Sequence, residues 1–144
     1  MVIYLIDGNN VLGKIKSVHK KDVSREKLAY MIEKHFQGKN ITVVLYYDGY
    51  IKEAIKVSGV DIVYSNKITA DEKIKDRIEF EKNPRVITVV TSDFNLQEFA
   101  KVCRCDVVSS EEFSHLLYKT KNPADEDKKQ NSISNDEMRK LFGI

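Results

Sequence analysis

The chain has 144 residues, enough for one domain with a buried core, and 42% of them are hydrophobic while 32% are charged. A formal net charge of +2 neither demands nor excludes a nucleic-acid partner. No apolar run is long enough to cross a bilayer, and an apolar strand pattern begins at once with no basic leader or cleavage site. We therefore expect no signal peptide, no membrane anchor and a cytoplasmic protein.

Short β-branched runs alternate with segments of helical periodicity. Strands are predicted at residues 2–6, 41–47, 60–65, 86–91 and 105–109. Helices are predicted at residues 22–37, 50–57, 70–82, 93–103 and 110–119. Several strands are continuous apolar runs, which is typical of parallel strands covered on both faces. The alternation predicts a three-layer α/β/α domain around a central parallel five-stranded sheet.

The chain divides into three predicted parts. Residues 1–120 carry the α/β pattern and form the domain. Residues 121–133 are polar, with almost no apolar side chains, and are predicted to be a flexible linker. Residues 134–144 are predicted to form a short amphipathic helix, with Ser134 and Glu137 at its start, which either docks on the domain or engages a partner.

The two cysteines, Cys103 and Cys105, are separated by one residue. Neighbouring positions of this kind form disulfides poorly, and no histidine or cysteine lies at the spacing of a zinc site. We expect two buried thiols in a reducing compartment.

Aspartates follow three of the predicted strands. Asp7 comes directly after the first strand, Asp48 directly after the second, and Asp93 two residues after the fourth, while Asp71 opens the helix that follows the third. With a strand order of 3-2-1-4-5, the first, second and fourth strands are neighbours at roughly 4.8 Å spacing. Ligands bind beyond the carboxyl ends of such strands, so the carboxylates are expected to converge there.

A cluster of carboxylates repels itself unless it shares protons or holds a cation. Oxygen ligands with no nearby histidine or cysteine favour Mg²⁺ or Mn²⁺. A metal in this position polarises a phosphodiester, generates hydroxide from water and stabilises the leaving oxygen. Asn10 could add a neutral oxygen or orient water, and Thr91 and Ser92 could hold a carboxylate or a phosphate.

Each carboxylate also has a purely structural interpretation. Asp71 could complement a helix dipole, Asp93 could be an N-cap, and Asp48 could belong to a turn. Glu72 is predicted to be the capping-box partner of Thr69 rather than a ligand. Four aspartates at one sheet edge together favour a functional site.

Other chemistries of α/β sheets fit less well. The glycines of DGNNVLG have the wrong spacing for a dinucleotide-binding loop, and no Walker-type lysine loop is present. A haloacid-dehalogenase-type phosphatase would need an acid where Asn9 stands, and a response-regulator receiver would need paired acids after the first strand.

Four motifs together resemble a known family. They are IDGNNVLG (6–13), YYDG (46–49), TADEKI (69–74) and TSDFNLQEFA (91–100). In this order they resemble the NYN branch of the PIN-like nucleases, and most closely its YacP-like members, over about residues 1–120. The resemblance implies a PIN-like fold, cleavage of RNA, and a divalent-metal site made by Asp7, Asp48, Asp71 and Asp93 with Asn10 beside it.

One position departs from the wider superfamily, in which many members carry an acid two residues after the TSD aspartate. This chain has Asn95 there. Fewer charges then remain for a second metal, so one tightly bound ion with a weaker second ion is expected.

The leading hypothesis is therefore a metal-dependent endoribonuclease in which Asp7, Asp71 and Asp93 bind the metal and Asp48 completes the cluster or orients water. RNA is the expected partner, either naked or presented on the ribosome. The residues predicted to contact its phosphates are Lys14, Lys16, Lys20, Lys21, Arg25, Lys27, Lys67, Lys73 and Arg77. These cations could equally be solvated helix faces, and Tyr47 and Tyr50 could stack on a base or simply pack.

Two alternatives stay open. The domain could be a non-catalytic RNA- or ribosome-binding module, whose binding would survive removal of metal. It could also be a phosphatase for small phosphate esters.

Overall fold

The computed structural model describes residues 1–51 and 55–119, which form one parallel sheet flanked by helices. The strands are β1 (Val2–Asp7), β2 (Ile41–Tyr47), β3 (Val60–Tyr64), β4 (Ile87–Val90) and β5 (Asp106–Val108). They lie in the order β3-β2-β1-β4-β5, with every neighbouring pair parallel. The predicted sheet and strand order are confirmed.

In the part of the chain that the structure describes, five α-helices cover the sheet. They are α1 (Gly8–Lys14), α2 (Arg25–Phe36), α3 (Ala70–Phe80), α4 (Phe94–Val102) and α5 (Ser110–Lys119). A π-helix (Ile15–His19) continues α1, and a 3-10 turn (Pro84–Val86) precedes β4. Within the described residues, no helix has both the length and the apolar character that crossing a membrane requires.

The two faces of the sheet bury separate cores, because successive strand residues point to opposite sides. Ile6 and Leu45 face the layer of α1, α2 and α5, whereas Leu5 and Val44 face the layer of α3 and α4. The predicted three-layer arrangement is therefore confirmed, with β1 buried at its centre.

Two parts of the helix prediction were wrong. The sequence missed α1, because glycine and asparagine at its start are typical of a loop; burial of Val11 and Ile15 against the sheet overrides that preference. A helix was predicted at 50–57, but the described residues of this stretch are not helical, and 52–54 lie outside the described part. The predicted linker (121–133) and terminal helix (134–144) also lie outside the described residues.

The start of α1 passes unusually close to the end of β2. A Cβ added at Gly8 would lie 2.5 Å from Cε1 of Tyr47 and 2.7 Å from the carbonyl oxygen of Tyr46. Tyr47 is fully buried, so its ring has little room to move. Only glycine allows the chain to turn from β1 into α1 at this separation.

We expect Gly8→Ala to destabilise the protein by about 1–3 kcal/mol, because the added methyl group overpacks a buried contact. Gly13→Ala is the matched control: nothing lies within 4 Å of a Cβ added there, so the helix should gain about 0.5–1 kcal/mol. Urea unfolding of both variants measures the difference. Equal stability of the two variants would contradict this account of Gly8.

Candidate active site at the carboxyl edge of the sheet

Asp7 ends the central strand and is buried, with 9% of its surface exposed. The hydroxyl of Thr91 donates a hydrogen bond to Oδ2 of Asp7 at 3.1 Å. Burial raises the pKa of Asp7 to about 6; hydrogen bonding from Thr91 and from the Asn10 backbone lowers it, and the charges of Asp48 and Asp71 raise it. The carboxylates of Asp48 and Asp71 are therefore close enough to act on Asp7.

Asp48 follows β2 and is held at the N-terminus of α3. Its Oδ1 accepts a hydrogen bond from the backbone N–H of Ala70, the first residue of that helix, at 2.8 Å. Its own backbone N–H donates to Oδ1 of Asn9 at 2.7 Å. The positive end of the helix dipole offsets part of the negative charge of this carboxylate.

Asp71, the second residue of α3, carries an unsatisfied oxygen. Its Oδ1 is buried and has no hydrogen-bond partner among the residues that the structure describes, while Oδ2 lies 3.3 Å from Nζ of Lys75. A buried carboxylate oxygen without a donor is costly, and a bound cation would satisfy it. The neighbouring Glu72 instead completes a capping box with Thr69, as predicted.

Asp93 is exposed and caps α4. Its Oδ1 accepts a hydrogen bond from the backbone N–H of Leu96 at 3.0 Å, and its own N–H donates to Oγ1 of Thr91 at 3.1 Å. The structural interpretation of Asp93 as an N-cap is confirmed.

The predicted metal-binding trio of Asp7, Asp71 and Asp93 is therefore not preassembled. In residues 1–51 and 55–119, no three Asp, Glu, His or Cys side chains already lie close enough to hold an ion. Asp93 is held instead by its hydrogen bond to the N-terminus of α4. The donors fit a hard divalent ion in type and charge, since Asp7, Asp48 and Asp71 supply carboxylates and Oδ1 of Asp71 lacks a partner.

Two asparagines join the end of β1 to both neighbouring strands. Asn9 accepts from the backbone of Asp48 after β2, as described above. Oδ1 of Asn10 accepts from the backbone N–H of Ser92 after β4 at 2.8 Å, and also from the hydroxyl of Ser110. Sequence reasoning considered Asn10 but missed the roles of Asn9 and Ser110; paired asparagines at the end of a central strand are the signal for such a link.

Ser92 and Thr91 also have structural partners. Oγ of Ser92 accepts a hydrogen bond from the backbone N–H of Ser110 at 3.0 Å, at the start of α5. Thr91 is fully buried and holds both Asp7 and the backbone of Asp93. Both side chains thus stabilise the backbone at this edge of the sheet, and Thr91 orients a carboxylate as predicted.

The predicted basic residues fall into two groups. Arg25, at the start of α2, lies at the carboxyl edge, where Nη2 donates to the carbonyl oxygen of Asp48 at 3.2 Å. Lys67 and Lys73 line a depression at the same edge, beside Tyr50.

The other basic residues lie away from this edge or are paired. Lys14 is about 9 Å along α1 from Gly8, and Lys16 follows in the π-helix. Nζ of Lys20 donates to the carbonyl oxygen of Ser17 at 2.9 Å. Lys21 and Lys27 lie in a groove with Tyr118 of α5. Arg77 forms an ion pair, because its Nη1 lies 2.7 Å from Oε1 of Glu81.

A parallel sheet in the order β3-β2-β1-β4-β5, with aspartates beyond its central strands, fits the PIN-like nuclease fold that the sequence motifs implied. Within that class the chain belongs to the YacP-like NYN domain family, whose family model matches residues 4–141.

Solved structures agree on the fold. Rae1 (YacP) from Bacillus subtilis superposes with a TM-score of 0.67 at 16% identity, covering 99% of this chain and 88% of that chain. A single-substitution variant of the same protein gives a TM-score of 0.68 at 21% identity, covering 93% and 87% of the two chains. No curated protein matches the chain.

We expect Asp7→Asn to stabilise the protein in metal-free buffer at pH 8. The pKa of Asp7 in the folded protein, about 6, exceeds its ordinary value of 3.8. The contribution of this carboxyl to the free energy of unfolding is therefore fully present below pH 3.8 and is lost as pH rises through 6. The difference between the two pKa values corresponds to about 3 kcal/mol in the free energy of unfolding at pH 8. Urea unfolding across pH 4–8, with the exposed Asp22→Asn as control, should show a gain that grows with pH. A gain in stability that does not depend on pH would contradict the raised pKa of Asp7.

Asn10→Ala is expected to cost about 1–3 kcal/mol, because the Ser92 N–H and the Ser110 hydroxyl lose their shared acceptor. Thermal unfolding measures this loss. Gln97→Ala is a matched control that also removes one side-chain amide, here donating to the backbone of Thr91 at 2.7 Å. A loss no larger than that of the control would show that the Asn10 link contributes no more than a single hydrogen bond.

Proposed function

We propose that the protein is a divalent-metal-dependent endoribonuclease that hydrolyses RNA phosphodiester bonds at the carboxyl edge of the sheet. The observation that carries this proposal is the buried oxygen of Asp71, which has no hydrogen-bond partner in residues 1–51 and 55–119. The charges of Asp48 and Asp71 also raise the pKa of the buried Asp7. Membership of a nuclease family supports the same reaction.

Asp7 and Asp71 would hold the cation, Mg²⁺ or Mn²⁺, with Asp48 beside them. Once bound, such an ion would offset the charge of the scissile phosphodiester and favour ionisation of the attacking water. Asp93 is exposed and uses Oδ1 to cap α4, so we propose a lesser role for it as a fourth carboxylate. One dominant ion fits this set, in keeping with Asn95 at the position where many relatives carry an acid.

The chain's own residues orient these groups. The hydroxyl of Thr91 and the backbone of Asn10 hold the carboxylate of Asp7 in place by hydrogen bonds. The N-terminus of α3 keeps Asp48 in one position, which would let it orient a water molecule. Arg25, bonded to the carbonyl of Asp48, places a cation where the phosphate backbone of RNA would pass.

The setting we propose is cytoplasmic. Cys103 and Cys105 are both free thiols, as expected in a reducing compartment. Cys105 is buried as predicted, whereas Cys103 is partly exposed because it lies at the end of α4, where the chain turns towards β5.

Cleavage of labelled RNA tests the proposal, with Mn²⁺, Mg²⁺ or EDTA present, on naked RNA and on ribosome-bound messenger RNA. We expect cleavage that EDTA abolishes and that Asp71→Asn or Asp7→Asn lowers at least about 100-fold. The control is Asp76→Asn, an exposed aspartate on the same helix as Asp71, which should cleave at the wild-type rate.

Three outcomes would remove the nuclease proposal: no cleavage in any arm, cleavage that persists in EDTA, or equal activity of the Asp71 and Asp76 variants. RNA binding without cleavage, unaffected by EDTA and by Asp71→Asn, would instead favour a non-catalytic RNA-binding module.

A further inference from the structure

Tyr50 separates two depressions at the carboxyl ends of β2 and β3. On one side lies a cleft of about 700 Å³ with Arg25 and Asp48 in its walls. On the other lies an open depression of about 490 Å³ with Lys67 and Lys73. Tyr50 lines both, and 56% of its surface is exposed. An exposed aromatic ring thus stands between two cationic positions, beside the candidate active site.

The guanidinium of Arg25 is fixed on a buried platform. It lies 4.7 Å from the ring centroid of Tyr47, and Nη2 bonds the carbonyl oxygen of Asp48. The hydroxyl of Tyr47 donates back to the carbonyl oxygen of Arg25 at 2.7 Å. A guanidinium has five N–H donors, so one held in this way can still bind a phosphate in a fixed orientation.

The backbone that carries Tyr50 is also held in place. Gly49 adopts a positive φ of 87°, which turns the chain sharply after β2. Its N–H donates to Oγ of Ser65 at 3.0 Å, and its carbonyl accepts from the N–H of Asn66 at 2.8 Å. The loop after β2 is therefore tied to the loop after β3, and Tyr50 and Lys67 lie on two connected loops.

We propose that this surface, made by Arg25, Tyr50, Lys67 and Lys73, is a binding track for single-stranded RNA. One base stacks on Tyr50, and the phosphates on either side contact Arg25 and the two lysines. This inference rests on the proposed function, because Asp48 lies in the wall of the cleft that Arg25 and Tyr50 line. Every base has a face that can stack, so the track selects unpaired RNA rather than a sequence. Double-stranded RNA does not fit this track, because its bases are already paired across the two strands and stacked on their neighbours.

Binding without cleavage tests the stacking position. Fluorescence anisotropy in EDTA measures the affinity for a labelled single-stranded RNA of about eight nucleotides. We expect Tyr50→Ala to weaken binding about 10-fold, while Tyr50→Phe, which keeps the ring, stays within about twofold. Tyr30→Ala is the matched control, since Tyr30 is 51% exposed but lies on α2, outside the track.

The salt dependence of binding tests the two lysines. Replacing Lys67 and Lys73 together by glutamine should lower the slope of log affinity against log salt by about 1.4, because two phosphate contacts are lost. The double variant of Lys34 and Lys82, both exposed and outside the track, should keep the wild-type slope. Arg25→Gln should also weaken binding, and urea unfolding of each variant identifies any that fail to fold.

Several results would overturn the track: no binding of the short RNA, equal weakening by Tyr50→Ala and Tyr30→Ala, or a duplex that binds as tightly as the single strand.

Kinetics with Mn²⁺ separate this inference from the proposed function. If the nuclease proposal holds, Tyr50→Ala should raise KM far more than it lowers kcat, whereas Asp71→Asn lowers kcat. Binding with the expected variant pattern but no cleavage would keep the track and remove the nuclease.

Discussion

The carboxyl edge of this protein depends on how the end of β1 is joined to the strands on either side. Asn9 bonds the backbone after β2, and Asn10 bonds the backbone after β4 and the start of α5. Gly8 lets the chain turn against Tyr47 without a steric clash. Asp7 is thereby held in a buried position, and the residues that surround it are held at fixed distances from it.

That arrangement places negative charge where the protein can least easily solvate it. Burial raises the pKa of Asp7, and Asp48 and Asp71 add repulsion. The structure relieves part of this cost with the Thr91 hydroxyl and with the N-terminus of α3, but Oδ1 of Asp71 stays without a partner. Carboxylates held together at a cost in stability are typical of functional sites, because a bound ligand recovers the cost.

Much of the architecture could be predicted because it follows from local patterns. Continuous apolar runs indicated parallel strands, and Thr69 with Glu72 correctly marked the start of α3. The helix predicted around residues 50–57 failed because an apolar period over so short a stretch does not distinguish a helix from a connecting loop. The first helix was missed for the opposite reason: its glycine and asparagines are poor helix formers whose tertiary contacts compensate for them.

The parallel α/β fold and the placement of Asp7 and Asp48 at strand ends were predictable from the sequence, since strand pattern and chain order decide which residues reach the carboxyl edge. What each side chain does at that edge depended on the three-dimensional packing. That packing left an oxygen of Asp71 without a partner among the described residues, and it put Arg25 rather than the Lys14–Lys21 stretch beside Asp48. The physical reason is that hydrogen-bond partners distant in the chain, which no spacing encodes, determine the direction of a polar side chain.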